Sequence, residues 1–141
     1  MKVEPAPLRV VLDTNVLISA LLSKTGAPAQ LVHRVFAHHT PVWSQACFAE
    51  LESRLWKPKF DRYASLDDRR SFLMDARSIG LWVDITAAMA TQKFSRDPDD
   101  DKFVHTALAA DAQWLVSGDQ DLLLLAPIQG LKVLTPAQAL L

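Results

Sequence analysis

The chain has 141 residues, of which 50% are hydrophobic and 22% are charged, and its formal net charge is −1. The composition excludes a disordered chain, and the length predicts one domain, residues 1–141, with a buried core. The near-neutral charge excludes a polycationic DNA-packaging protein, although local basic patches or bound metal ions can still attract phosphate.

In chain order, a short β-branched run predicts a strand at residues 8–12, and apolar periodicity predicts a helix at 16–22 that Thr14 or Asn15 can cap. Polar residues interrupt this apolar stretch, which is also shorter than the ~20 apolar residues of a membrane span. We therefore expect a cytoplasmic protein without membrane association. A second amphipathic helix is predicted at 29–37.

The middle of the chain continues the alternation. A strand is predicted at 41–43, and a helix at 45–55 follows it with Ser44 as its cap. Residues 57–64 are predicted to form a loop. The lone cysteine, Cys47, lies in an apolar run and is expected to be a buried structural thiol, because one thiol can form neither an intrachain disulfide nor a cysteine metal cage.

The second half of the chain also alternates helices with strands. The helices are predicted at residues 67–79 and 101–112, and the strands at 81–85, 114–116 and 131–134. Gly80 is expected to end the first of these helices, and Pro136 to open a short terminal helix. Strands that alternate with helices predict an α/β fold with a mainly parallel sheet.

Acidic residues occupy informative places in this pattern. Asp13 and Asp119 each come directly after a predicted buried strand, and ligand sites of open α/β sheets form beyond the carboxyl ends of the strands. Glu50 lies inside an otherwise apolar helix, and Asp101 opens another helix. Each acid alone could be a cap, a turn residue or a solvated group. Together they predict one carboxylate cluster.

The run from Asp97 to Asp101 offers four acids, and a helix start can direct only some of them inward. Asp101 is the predicted site residue because apolar residues follow it at helical spacing, whereas Asp97 and Asp100 are expected to cap or support. Converging carboxylates repel one another unless cations neutralise them, and oxygen ligands favour Mg²⁺ or Mn²⁺. One or two such ions could activate water for attack on a phosphodiester.

Four segments resemble the motifs of PIN-domain nucleases, in the right order and over roughly residues 8–134. They are residues 12–17 (Leu-Asp-Thr-Asn-Val-Leu), Ser44 with Glu50 and Leu51, residues 97–103 and residues 115–122. The resemblance implies a three-layer α/β/α sandwich and Mg²⁺- or Mn²⁺-dependent ribonuclease activity. The segment 97–103 is most similar to the bacterial branch of VapC-related toxins, which implies a cognate antitoxin as a partner.

The same resemblance implies a role for individual residues. The metal-binding acids would be Asp13, Glu50, Asp101 and Asp119. Asp121, an additional acid, would bind a second ion through water or cap a short helix. Thr14 or Asn15 would help to orient Asp13, and Ser117 would support the site.

Basic and aromatic residues concentrate between positions 54 and 70, a combination that suits single-stranded RNA. They are Arg54, Lys57, Lys59, Arg62, Arg69 and Arg70, beside Trp56, Phe60 and Tyr63. A solvated, mobile surface segment explains them equally well. Surplus apolar surface on the amphipathic helices would suit a homodimer or an antitoxin.

Three functions stay open at this point. The leading one is an endoribonuclease that acts as the toxin of a toxin–antitoxin pair. A metal-dependent phosphatase or a structure-selective DNA nuclease would use the same acids. A non-catalytic RNA-binding or protein-interaction module would keep the fold without the chemistry.

Overall fold

Five strands and eight α-helices make up the part of the chain that the structure, a computed structural model, describes: residues 6–125 and 127–141. In chain order they are β1 (Arg9–Leu12), α1 (Thr14–Leu22), α2 (Ala27–His38), β2 (Thr40–Trp43), α3 (Gln45–Leu55), α4 (Leu66–Ser78), β3 (Leu81–Trp82), α5 (Ala87–Ala90), α6 (Asp101–Ala109), β4 (Trp114–Val116), α7 (Gln120–Leu123), β5 (Lys132–Leu134) and α8 (Pro136–Ala139). Two 3-10 turns, Pro58–Phe60 and Pro98–Asp100, precede α4 and α6. No helix within the described ranges is long and apolar enough to cross a membrane.

The sheet has the strand order β3-β2-β1-β4-β5, and all four neighbouring pairs are parallel. Side chains of one strand alternate between the two faces of a sheet. Val10 and Leu12 therefore pack into one hydrophobic cluster with α1, α2 and α3, whereas Val11 packs into a second cluster with α6. Helices cover both faces, which confirms the predicted α/β/α sandwich. Because all strands are parallel, their carboxyl ends meet at one edge of the sheet.

Three helices and strands differ from the prediction. β3 has two residues instead of five, because its partner β2 ends at Trp43, whose carbonyl accepts the last bond from the amide of Val83 (2.9 Å). α6 ends three residues early, since Asp111 has a left-handed backbone with φ of 50°. The single turn α5 was not predicted; the hydroxyl of Thr86 caps it by accepting from the amide of Met89 (3.1 Å).

Two residues behave as the sequence predicts. Gly80 follows α4 with φ of 85°, and a side chain there would collide with the carbonyl of Pro41 on β2. Glycine is therefore required where the chain turns from α4 into β3. Cys47 is buried in α3, with its thiol beside the hydroxyl of Thr106 (3.3 Å), as expected for a structural cysteine.

Arg69 fits neither alternative that the sequence left open, an RNA-binding surface or a solvated surface segment, because its side chain is 1% exposed. The guanidinium donates to the carbonyl of Leu55 (3.2 Å), the carbonyl of Ala64 (2.8 Å) and the carboxylate of Asp61 (2.8 Å). These bonds tie the end of α3, the segment 57–65 and α4 together. Arg69 thus holds the basic segment in place instead of contacting a ligand.

Replacing Arg69 by Met is expected to lower the free energy of unfolding by about 2–4 kcal/mol, because two buried carbonyls would lose their donors. Arg70→Met is the matched control: Arg70 is exposed and makes only a 3.4 Å contact with Asp67, and it should change stability by less than about 0.5 kcal/mol. Urea denaturation measures the change in the free energy of unfolding for both variants. Equal midpoints for the two variants would contradict a stabilising role for Arg69.

Candidate active site

Asp13 lies at the carboxyl end of β1, where its side chain is buried and caps α1. One carboxylate oxygen accepts from the amide of Asn15 (3.3 Å), and the other accepts from the hydroxyl of Ser117 (2.7 Å). The cap is therefore Asp13 itself, and not Thr14 or Asn15 as the sequence suggested. Ser117 follows β4 directly, so the parallel pairing of β1 with β4 creates this contact.

Burial raises the pKa of the Asp13 carboxyl, because a desolvated carboxylate is costly. The bonds from Ser117 and Asn15 act in the opposite direction, since they stabilise the charged form. The negative charges of Glu50 and Asp119 raise the pKa further. Asp13 is thus electrostatically coupled to two of the predicted site residues.

Glu50, on α3, reaches the same edge from the neighbouring helix. One of its oxygens accepts from the hydroxyl of Thr14 (2.6 Å), and the other pairs with Arg54 (2.9 Å) and Lys102 (3.2 Å). Thr14 therefore orients Glu50 in this structure, whereas Asn15 holds Asp13 through its backbone and accepts a long bond from Arg54 through its side chain (3.4 Å). Two cations neutralise Glu50 from within the protein.

Asp119 caps the short helix α7 beyond β4. Its carboxylate accepts from the amide of Asp121 (2.8 Å), and its own amide donates to the hydroxyl of Ser117 (3.0 Å). Ser117 therefore links Asp13 to the backbone of Asp119. Asp121 supplies its backbone amide to this arrangement and lies in the first turn of α7.

The structure separates the roles of Asp100 and Asp101. One oxygen of Asp101 accepts from the amides of Ser95 (2.7 Å) and Phe94 (3.1 Å), so this buried carboxylate secures the preceding loop. Asp100, the last residue of the 3-10 turn, faces Asp119 instead, and it also lies near enough to Asp13 to feel its charge. In this structure Asp100 is thus the acid of the run that contacts Asp119, whereas the carboxylate of Asp101, the predicted ligand, bonds to loop amides.

No ion pair neutralises the charge of Asp100 within the part of the chain that the structure describes. One of its oxygens is buried without a hydrogen-bond donor, and its neighbour Asp119 is another acid. Burial, a hydrogen bond shared with Asp119 and the charges of Asp119, Asp97 and Asp13 raise the pKa of Asp100 to about 7. Two carboxylates so placed must share a proton or a cation.

The donor set fits a hard divalent cation, since four carboxylates from Asp13, Glu50, Asp100 and Asp119 gather at one edge. Within residues 6–125 and 127–141, however, no three acidic, imidazole or thiol side chains are placed so that they could hold a metal ion together, so binding would require these side chains to move. Glu50 in particular is engaged by Arg54 and Lys102. An ion would thus be held first on the side of Asp100 and Asp119, where the buried oxygen lacks a donor.

Comparisons with known proteins agree with this architecture. A family model described as PIN domain matches residues 9–121. An uncharacterized protein of Methanocaldococcus jannaschii is 29% identical over 124 residues, which are 86% of this chain and 77% of that protein.

Two solved structures are similar in fold. VapBC2 from Rickettsia felis, bound to a DNA fragment from their promoter, has 16% identity and a TM-score of 0.58 over 89% of this chain and 97% of that one. Mycobacterium tuberculosis VapC20, a Sarcin-Ricin loop cleaving toxin, has 13% identity and a TM-score of 0.53 over 79% of this chain and 91% of that one. At these identities the likeness concerns the fold alone.

The raised pKa of Asp100 predicts how stability changes with pH when EDTA removes divalent ions. Because the folded pKa of about 7 exceeds the ordinary value of 3.8, the folded state binds the extra proton between these pH values, and stability falls as pH rises through this range. Asp100→Asn removes the repulsion between Asp100 and the neighbouring acids. The free energy of unfolding of this variant should therefore exceed that of the parent chain by an amount that grows up to about pH 7 and then levels off.

Urea midpoints at several pH values between 4 and 8 measure this difference. Asp99→Asn is the matched control, because Asp99 is exposed in the same 3-10 turn. A constant offset between Asp100→Asn and the parent chain at all pH values would show that Asp100 does not titrate in this range.

Proposed function

The chain belongs to the PIN-domain family, and from this premise we propose that it is a metal-dependent endoribonuclease. The observation that carries the proposal is the environment of Asp100. One of its oxygens is buried without a hydrogen-bond donor, its carboxyl shares a hydrogen bond with Asp119, and the charge of the buried Asp13 lies nearby. Such a site gains most from a cation, and Mg²⁺ or Mn²⁺ suits oxygen ligands. One or two ions would bind to Asp13, Glu50, Asp100 and Asp119, with Asp100 in the place first assigned to Asp101.

When bound, such ions supply Lewis-acid activation of water and charge neutralisation at the scissile phosphate. The chain's own residues prepare the site for them. Ser117 and the amide of Asn15 fix the orientation of Asp13, and Thr14 fixes that of Glu50. Asp121 contributes its amide to Asp119, and its side chain remains a proposed outer ligand through water.

A basic groove beside the acids supports a nucleic acid as the substrate. Arg54, Lys57 and Lys59 line it together with Asn15 and Phe60, in a space of about 160 Å³. Arg54 also contacts Glu50, so the groove begins at the acidic cluster. Basic side chains can pair with phosphates, and the ammonium of Lys59 lies over the ring of Phe60 (5.1 Å to its centre), so the two hold one another in the groove. Basic and aromatic groups together favour single-stranded RNA.

The resemblance to VapC-related toxins and the shared fold of the two solved structures support a more specific role. We propose that the chain is the toxin of a toxin–antitoxin pair, acts in the cytoplasm and binds a cognate antitoxin protein. A homodimer stays a prediction. DNA cleavage, phosphatase activity or RNA binding without cleavage remain the outcomes against which the experiments below are designed.

The parent chain should cleave labelled single-stranded RNA with Mn²⁺ and lose this activity in EDTA. Asp13→Asn and Asp100→Asn should each reduce cleavage by about 100-fold or more, since they remove proposed ligands, whereas residues that only support a metal site cost about 10- to 100-fold. Asp101→Asn is the matched control, because its amide oxygen can still accept from the loop amides. Its cleavage rate should stay within about tenfold of the rate of the parent chain.

Labelled DNA and a phosphomonoester are tested in parallel. A preference for either over RNA would replace the ribonuclease proposal with one of the alternatives. If well-folded parent chain binds RNA without metal-dependent cleavage, the non-catalytic module is correct. A larger loss in Asp101→Asn than in Asp100→Asn would restore the original assignment.

The toxin proposal predicts that induced expression of the chain arrests growth of a bacterial host, and that Asp13→Asn, accumulated to the same level, does not. Co-expression of a small protein encoded beside the chain should restore growth and retain the chain on an affinity column. Equal growth of cells with the parent chain and with Asp13→Asn would contradict a toxin while leaving the nuclease proposal intact.

A further inference from the structure

A cavity lies next to the acids, beyond the carboxyl ends of β2 and β3. It has a volume of about 620 Å³, within the range of small-molecule sites. Its apolar lining includes Ala46, Val83, Ile85 and Ala90, and its polar lining includes Gln45 and Asp84. None of the functions argued above uses this cavity.

Three lining residues join the cavity to the acidic cluster. Lys102 lines it and pairs with Glu50 (3.2 Å). Pro98 lines it and opens the 3-10 turn that ends at Asp100. Ser44 lines it and caps the helix that carries Glu50. A nucleotide whose phosphate lies at the acids can therefore direct its base toward the cavity.

The apolar walls suit the faces of a flat ring. Asp84, an exposed acid of the lining, favours a ring that offers hydrogen-bond donors, while Gln45 and His105 are further polar groups of the same lining. An ionised carboxylate only accepts hydrogen bonds, and it can accept two side by side. Guanine is the base whose pairing edge carries two adjacent donors, the N1–H and the N2 amino group. Adenine and cytosine offer one amino group beside an acceptor nitrogen, and uracil offers one N–H between two carbonyls.

We propose that this cavity binds a guanine base of the substrate strand, so that the chain cleaves RNA next to guanosine. This inference rests on the proposed ribonuclease function and adds a base preference to it. Asp84 accepts the N1–H and the amino group of the guanine. The apolar residues of α3, of the loop after β3 and of α5 enclose the ring, and Lys102 stands between the base and the scissile phosphate.

The experiment compares cleavage and binding in the same proteins. Cleavage uses uridine oligomers with one guanosine, adenosine or cytidine at a fixed position, in Mn²⁺, and binding uses GMP, AMP, CMP and UMP in titration calorimetry without divalent metal. The parent chain should prefer guanosine about tenfold in both assays, as a bidentate contact allows. Asp84→Asn should abolish that preference in both assays.

Two further variants sharpen the test. Asp111→Asn is the matched control, since Asp111 is an exposed acid after α6, near the opposite edge of the sheet, and asparagine tolerates its left-handed backbone. Asp111→Asn should keep the guanosine preference and the GMP affinity of the parent chain. Ala90→Phe fills the cavity from α5 and should weaken GMP binding about tenfold or more, because the ring loses its space.

The outcomes separate this inference from the function it rests on. Cleavage without a base preference, or equal behaviour of Asp84→Asn and Asp111→Asn, overturns the guanine site and leaves the nuclease intact. Selective GMP binding that depends on Asp84 in a chain that cleaves no RNA supports the site and overturns the nuclease. A preference for another base overturns the assignment of guanine.

Discussion

The site depends on one buried contact, the hydrogen bond from the hydroxyl of Ser117 to the carboxylate of Asp13 (2.7 Å). Burying a carboxylate is costly unless a donor compensates it. The compensation exists because β1 pairs in parallel with β4, with Leu12 opposite Val116, so that the next residues of both strands meet beyond the sheet. Ser117 also accepts from the amide of Asp119, and one hydroxyl thus connects two acids.

The remaining acids divide into two sides according to how their charge is managed. Glu50 is neutralised by Arg54 and Lys102, which belong to the protein and stay with it. Asp100 and Asp119 face each other as two acids, and burial together with this neighbour raises the pKa of Asp100 to about 7. The side of the site formed by Asp100 and Asp119 therefore carries negative charge that a bound cation would neutralise. Functional sites commonly keep such unfavourable groups at a cost in stability.

Much of the fold follows from local pattern. The strand at β1, the Ser44 cap of α3, and the turn at Gly80 depend on apolar spacing and on the chemistry of single residues, and the sequence predicts each of them. β3 was predicted too long because its length depends on where β2 ends, which is a property of the pairing. Arg69 looked like part of an RNA-binding surface, since nothing in its neighbours in sequence reveals the carbonyls of Leu55 and Ala64 that bury it.

The sequence by itself determined the alternation of strands and helices, the parallel sheet and the presence of acids at the ends of β1 and β4, because these depend on periodicity and on neighbours along the chain. Only the tertiary structure decided which acid of the run 97–101 lies against Asp119. A 3-10 turn advances the chain differently from an α-helix, and it directs Asp100 toward Asp119 while Asp101 turns to the amides of Phe94 and Ser95. The cavity lined by Asp84 likewise forms from three separate segments, and their meeting is a consequence of packing that no local pattern records.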